Sequence, residues 1–123
     1  MKIDRNNNLR MVRGDTEEIT VKLREQTSGG TADKPFVDGD TIKMTIGEYT
    51  GSKTERPVAM KTITGTIDAT TGLGSLVISP SDTADMEFGL AKYKYDIQIT
   101  FADGTVKTLF PAAWFILEEE VSV

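Results

Sequence analysis

The stretch that most restricts how this chain can fold runs from Tyr93 to Leu117. Tyr93, Tyr95, Ile97, Ile99 and Phe101 alternate with Lys94, Asp96, Gln98 and Thr100. An apolar–polar period of two belongs to a strand with one face buried. Asp103-Gly104 follows, then a second β-rich run from Val106 to Leu117. Asp-Gly between two such runs signals a two-residue hairpin, because a type I′ turn needs positive φ at both central residues. With Asp103 and Gly104 as the turn, Phe101 faces Val106, Ile99 faces Thr108 and Ile97 faces Phe110. That register puts Val106, Phe110, Trp114 and Ile116 beside the tyrosines on the core face. A slip of one residue would turn the set outward.

Other segments carry the same pattern. Leu9 to Val12 reads as a short strand, and Glu18 to Arg24 as one with Ile19, Val21 and Leu23 inward. Thr41 to Gly47 turns Ile42, Met44 and Ile46 inward, and Leu73 to Ser79 is a strand around Leu76, Val77 and Ile78. Val58 to Asp68 is β-rich, with faces less cleanly sorted. Glu25 to Asp40 reads as a long polar loop anchored by Phe36-Val37. Glu48 to Pro57 reads as a second loop with an exposed tip at Ser52–Arg56. Ser79-Pro80-Ser81-Asp82 supplies a cap, a first-turn proline and a first-turn acid, which predicts a short helical turn near residues 80–87. Thr83, Met86 and Phe88 are its expected anchors, and Gly89 its left-handed end. About seven strands with closely spaced turns make an all-β chain, an antiparallel β-sandwich. One sandwich domain is expected over residues 9–123, behind a loosely held Asn-rich leader at residues 1–8. Glu118-Glu119-Glu120 reads as a solvated acidic end.

Composition narrows the chemistry. A chain of 123 residues suits one domain, and a domain that long buries roughly two-thirds of its unfolded surface without metal or disulfide. There is no cysteine and no histidine, which excludes disulfides, thiolate zinc sites, cysteine nucleophiles and histidine bases. The net charge of -5 argues against generic attraction to nucleic acid or anionic membranes. The first residues lack an apolar segment and no run approaches spanning length, so synthesis and assembly in the cytosol are expected. No cofactor or metal is called for.

The short motifs have plain structural readings. Arg13-Gly14-Asp15 spells an integrin-binding tripeptide, but between two closely spaced strands it reads as a turn. Asp38-Gly39-Asp40 is one acidic pair, short of the six to eight oxygens calcium takes, and reads as turn chemistry. Lys53, Arg56 and Lys61 are interrupted by Glu55 and read as a solvated face, not a nucleic-acid contact. Of the aromatics Tyr49, Tyr93, Tyr95 and Trp114, hairpin parity sends the last three to the core. Tyr49, in a loop, is the binding candidate. No catalytic residue is assigned: there is no histidine to activate a serine. The carboxylates leave a paired-carboxylate glycosidase open as a third reading, but they fall in turns, on outward strand positions and in the tail.

The order of several pieces resembles a known family. Leu9-Arg-Met-Val-Arg-Gly-Asp-Thr16 precedes an alternating strand, and Gly39-Asp-Thr-Ile42 enters the next. Ile78-Ser-Pro-Ser-Asp-Thr83, Gly89, Tyr93-Lys-Tyr-Asp-Ile-Gln-Ile99 and Phe101-Ala-Asp-Gly-Thr105 follow. Across residues 9–117 this is similar to the N-terminal domain of phage baseplate upper proteins and related small structural proteins of tailed phages and prophages. Pro111-Ala112-Ala113 departs from it, where that family often carries glycine. The resemblance implies an immunoglobulin-like β-sandwich, assembly with other phage structural proteins or copies of itself in a tail or baseplate, a virion location, and no enzymatic activity. The rival expectation is a carbohydrate-binding sandwich, which an exposed aromatic pair beside Tyr49 would favour.

Overall fold

The computed structural model describes residues 1–49, 51 and 58–119, with the backbone alone at Val58. The expected loop tip Ser52–Arg56, with Lys53 and Arg56, and the last acid Glu120 lie outside the described residues. In chain order the elements are β1 (Lys2–Ile3), β2 (Leu9–Val12), β3 (Glu17–Val21), β4 (Arg24–Thr27), β5 (Gly30–Asp33), β6 (Thr41–Glu48), β7 (Val58–Thr64), β8 (Thr66–Asp68), β9 (Leu73–Ile78), α1 (Pro80–Thr83), β10 (Gly89–Thr100), β11 (Val106–Thr108) and β12 (Ala113–Glu118). A large sheet runs β1-β2-β12-β10-β6-β7, with β11 also on β10. A small sheet runs β3-β9-β8, and β4-β5 form a separate ribbon. Side chains from both main sheets meet in one core, among them Leu9, Met44, Tyr95 and Phe115 from the large sheet and Ile19, Leu76 and Ile78 from the small one. The fold is all-β and sandwich-like. It is not wholly antiparallel, because β12 and β2 pair in parallel.

The hairpin forms, but one residue away from the expected register. Thr100 pairs with Val106, Ile99 with Lys107 and Gln98 with Thr108. The Phe101 N–H donates to the Thr105 carbonyl and the Gly104 N–H to the Phe101 carbonyl, each at 2.8 Å. The loop is therefore three residues long, Ala102-Asp103-Gly104, with Gly104 at φ +92°, the form in which a turn is followed by one left-handed residue. Asp103 favours it by accepting the Thr105 N–H at 2.9 Å. One added loop residue reverses the parity of β11 and β12. Val106 is 57% exposed. The chain then leaves the ladder after Thr108 and rejoins with Ala113 opposite Tyr95, Trp114 opposite Lys94 and Phe115 opposite Tyr93. Ala113, Phe115 and Leu117 fill the core. Trp114 and Ile116 lie on the other face, while Phe110 packs against the core edge.

Three other segments differ from expectation. Residues 1–8 form β1 and a turn: Asp4 accepts the N–H groups of Asn6 and Asn8 at 2.9 and 3.0 Å, and Asn8 Oδ1 accepts the Trp114 N–H at 2.9 Å. The expected loop Glu25–Asp40 contains the β4–β5 ribbon, closed by Ser28-Gly29. Phe36 anchors its return at 1% exposure, but Val37 is 52% exposed. Val58 to Asp68 has mixed faces because the chain changes sheets at Gly65. A Cβ there would stand 2.4 Å from the Ser75 carbonyl oxygen and 2.6 Å from Ile42, so only glycine fits.

The helical turn is shorter than expected, Pro80–Thr83, and Gly89 (φ +117°) opens β10 instead of closing a helix. Thr83 and Met86 are buried, as the sequence indicated. Partial burial works to raise the Asp82 carboxyl, but hydrogen bonds from the Ser79 N–H (2.8 Å) and hydroxyl (2.9 Å), with Lys61 at 3.4 Å, outweigh it and hold the pKa below 3.8.

Gly104→Val should destabilise the fold by about 1–2 kcal/mol in urea titrations, since a β-branched residue resists the left-handed region. Gly65→Ala should cost more, about 3 kcal/mol, because the obstruction is backbone. A carboxyl with a lowered folded pKa contributes stability above its unfolded value and loses it as pH falls. The melting temperature should therefore drop as pH falls through and below 3.8, and Asp82→Asn should flatten that drop.

Candidate functional site

The parity of β10 decides which side chains reach the outer face of the large sheet. Lys94 faces Trp114 on one side and Gly47 on the other, and Gly47 faces Ala59. The next row places Asp96 beside Thr45, and the one after places Gln98 between Thr108 and Lys43. Gly47 and Ala59 lack bulk, so the face is indented there. The hollow has a volume of about 450 Å³, lined by Thr45, Gly47, Ala59, Lys94, Asp96 and Gln98 along with Thr108 and Ala112.

An aromatic pair stands next to Lys94, outside the residues that line the hollow. Tyr49 and Trp114 meet edge to face, with centroids 4.9 Å apart and an interplanar angle of 84°. Both are half-buried. Tyr49 is fixed where it leaves β6 by donating its N–H to the Lys92 carbonyl at 2.9 Å. The Lys94 ammonium lies 4.7 Å from the Trp114 ring centroid and 5.3 Å from that of Tyr49, a cation–π contact that ties the rings to the hollow Lys94 lines. Gln98 donates from Nε2 to the Thr108 hydroxyl at 3.3 Å. The carboxylate of Asp96 has no hydrogen-bond or ion-pair partner among the described residues. Among the described residues it is the one carboxylate lining the hollow.

Tyr49 is thus joined by a residue that hairpin parity had sent to the core, Trp114. Tyr93 and Tyr95 do lie in the core. The Tyr93 oxygen accepts the Glu87 N–H at 2.7 Å, and the Tyr95 hydroxyl donates to the Asn7 carbonyl. Burial, assisted by the charge of Asp4, pushes the Tyr95 phenol up to about 12.

The remaining motifs act within the fold. Arg13 reaches the Met86 carbonyl at 3.3 Å and lies over Phe88 at 4.2 Å. The Gly14 N–H donates to the buried Thr83 hydroxyl at 3.0 Å, so Arg13-Gly14-Asp15 is a turn fastened to the helical turn. In Asp38-Gly39-Asp40, the buried Asp40 accepts the Val37 N–H at 3.0 Å and the Ala102 N–H at 2.9 Å, which clips the Phe36–Asp40 loop to the hairpin loop. Lys61 pairs with Asp82 at 3.4 Å. Among the described residues no group of three or more acidic side chains is placed to hold a metal. No protein-family model matches the sequence, and no curated protein matches it.

Trp114→Ala should cost about 1–2 kcal/mol, well short of the roughly 3–5 kcal/mol of a fully buried tryptophan, with chemical denaturation as the readout. Absorbance titration should show Tyr95 ionising near pH 12. A phenol whose pKa is raised on folding contributes stability below its unfolded value of 10.0 and loses it as pH rises towards the folded value. Stability should accordingly fall between those limits, and Tyr95→Phe should remove the fall.

Proposed function

We propose that the protein is a non-enzymatic structural protein of a phage or prophage virion, a tail or baseplate component built on an immunoglobulin-like sandwich and acting through protein–protein contacts. The observation that carries this reading is the β4–β5 ribbon. All eight residues of its two strands are exposed. A two-stranded ribbon without a buried face is marginally stable in water. Here it is secured at its base, where the Lys34 N–H donates to the Leu23 carbonyl at 2.9 Å and Asp33 pairs with Lys22 at 3.2 Å and Arg24 at 3.3 Å. Beyond that base both outer edges of the ribbon offer backbone groups to a partner, the chemistry of strand addition. The resemblance of the sequence to phage structural proteins is what suggests the virion context, and a cysteine-free chain suits assembly in the bacterial cytoplasm before release.

Tails purified from particles made by a host carrying this sequence should contain its peptides at a fixed ratio to other tail proteins, as quantified by mass spectrometry. Replacing Gln26–Thr31 by Asn-Gly should leave the melting temperature of the purified chain nearly unchanged and remove the chain from the particles. Incorporation of the shortened protein at the normal ratio would refute the role of the ribbon, and particles without the intact chain would refute the virion assignment.

A further inference from the structure

We propose that the hollow on the outer face of the large sheet binds a short neutral saccharide, with Trp114 and Tyr49, which adjoin it through Lys94, as the apolar platform. Its volume of about 450 Å³ lies in the range of small-ligand sites. β10 and β6 are interior strands with their backbone groups committed to neighbours, so an incoming strand has nothing to pair with here. Recognition must come from side chains, and these remain available. The side chains of Asp96 and Thr45 have no hydrogen-bond partner among the described residues. Gln98 uses its amide nitrogen on Thr108, and its carbonyl oxygen has no partner among the described residues. Lys94 contributes an ammonium engaged only with ring faces among the described residues.

The class of ligand follows from charge and spacing. Among the described residues one ammonium and one carboxylate line the hollow, a balance that favours neither an anion nor a cation, while alternating donors and acceptors suit hydroxyls. Asp96 and Gln98 are two positions apart on one strand face, roughly 7 Å, and so engage successive hydroxyls of an extended ligand. Beside the hollow, the half-buried indole offers, once Lys94 leaves its face, a flat apolar surface of the kind that meets the C–H face of a pyranose. Lys94, on a flexible four-carbon stem, can swing from the rings to a sugar hydroxyl. The site lies on a different sheet from the ribbon and does not depend on the assembly role.

Trp114 is the only tryptophan, so its emission reports on the site directly. The intact chain is screened on an array of neutral oligosaccharides and titrated with cellotriose, maltotriose and chitotriose, using fluorescence and calorimetry. At least one should bind saturably, with Kd below about 10 mM. Asp96→Ala should weaken that binding about tenfold with an unchanged melting temperature, and the shortened-ribbon variant should bind normally. Absence of saturable binding to every sugar overturns the proposal. So does binding that survives both Asp96→Ala and Trp114→Phe, tighter binding of anionic sialyllactose, or an emission change that follows protein concentration without sugar, which would mark the face as a contact between two copies.

Discussion

Strand β10 is laddered on both sides, by β6 along one edge and by β11 and β12 along the other. Its pleat allows side chains two directions only. Tyr93, Tyr95, Ile97 and Ile99 point into the sandwich, and both neighbours present matching rows: Ile46, Met44 and Ile42 from β6, and Phe115 and Ala113 from β12. Every other layer is referred to this one. Leu9 and Met11 of β2 are brought in by their parallel pairing with β12, and Ile19, Leu76 and Ile78 close the core from the small sheet. Burial of these side chains at roughly 25 cal/mol per Å² supplies the main favourable term. It exists only while the register of β10 holds.

How far that register could be read from the residues is shown by its two neighbours. Alternation in Thr41–Gly47 and in Tyr93–Phe101 gave the correct inward sets, because a long strand buried on one face leaves an unambiguous period of two. The far arm of the hairpin was misjudged by a single residue. Asp-Gly suits both a two-residue loop and the end of a three-residue loop, and the longer loop is the one that forms, with Asp103 accepting the Thr105 N–H. That one residue moved Trp114 from the core to the surface. The ribbon β4–β5 was missed for a different reason: with no apolar face, its residues carry no periodicity to find. Gly65 could not be singled out either, since its neighbours Ser75 and Ile42 become close only through the sheet change.

The candidate site was half legible. Lys94, Asp96 and Gln98 were correctly turned outward, and Tyr49 stood out as an aromatic in a loop. Nothing in the sequence joined them, because outward polar residues on a strand are ordinary and the small residues that indent the face, Gly47 and Ala59, are marked by what they lack. The polar stretches that looked like sites turned out to be fasteners. Arg13 and Gly14 secure the helical turn, and Asp40 clips two loops together.

The parallel pairing of β2 with β12 joins residues 9–12 to residues 115–118, and Asn8 bonds Trp114 nearby. Contacts between such distant stretches carry a large loop-closure cost during folding. While the chain is being synthesised, β2 waits without β12 until residues 113–118 have left the ribosome. Closure of the large sheet is therefore a late event. An unfinished chain would carry Leu9 and Met11 without the strand that covers them, so a truncated product exposes apolar surface instead of forming a smaller version of the same body.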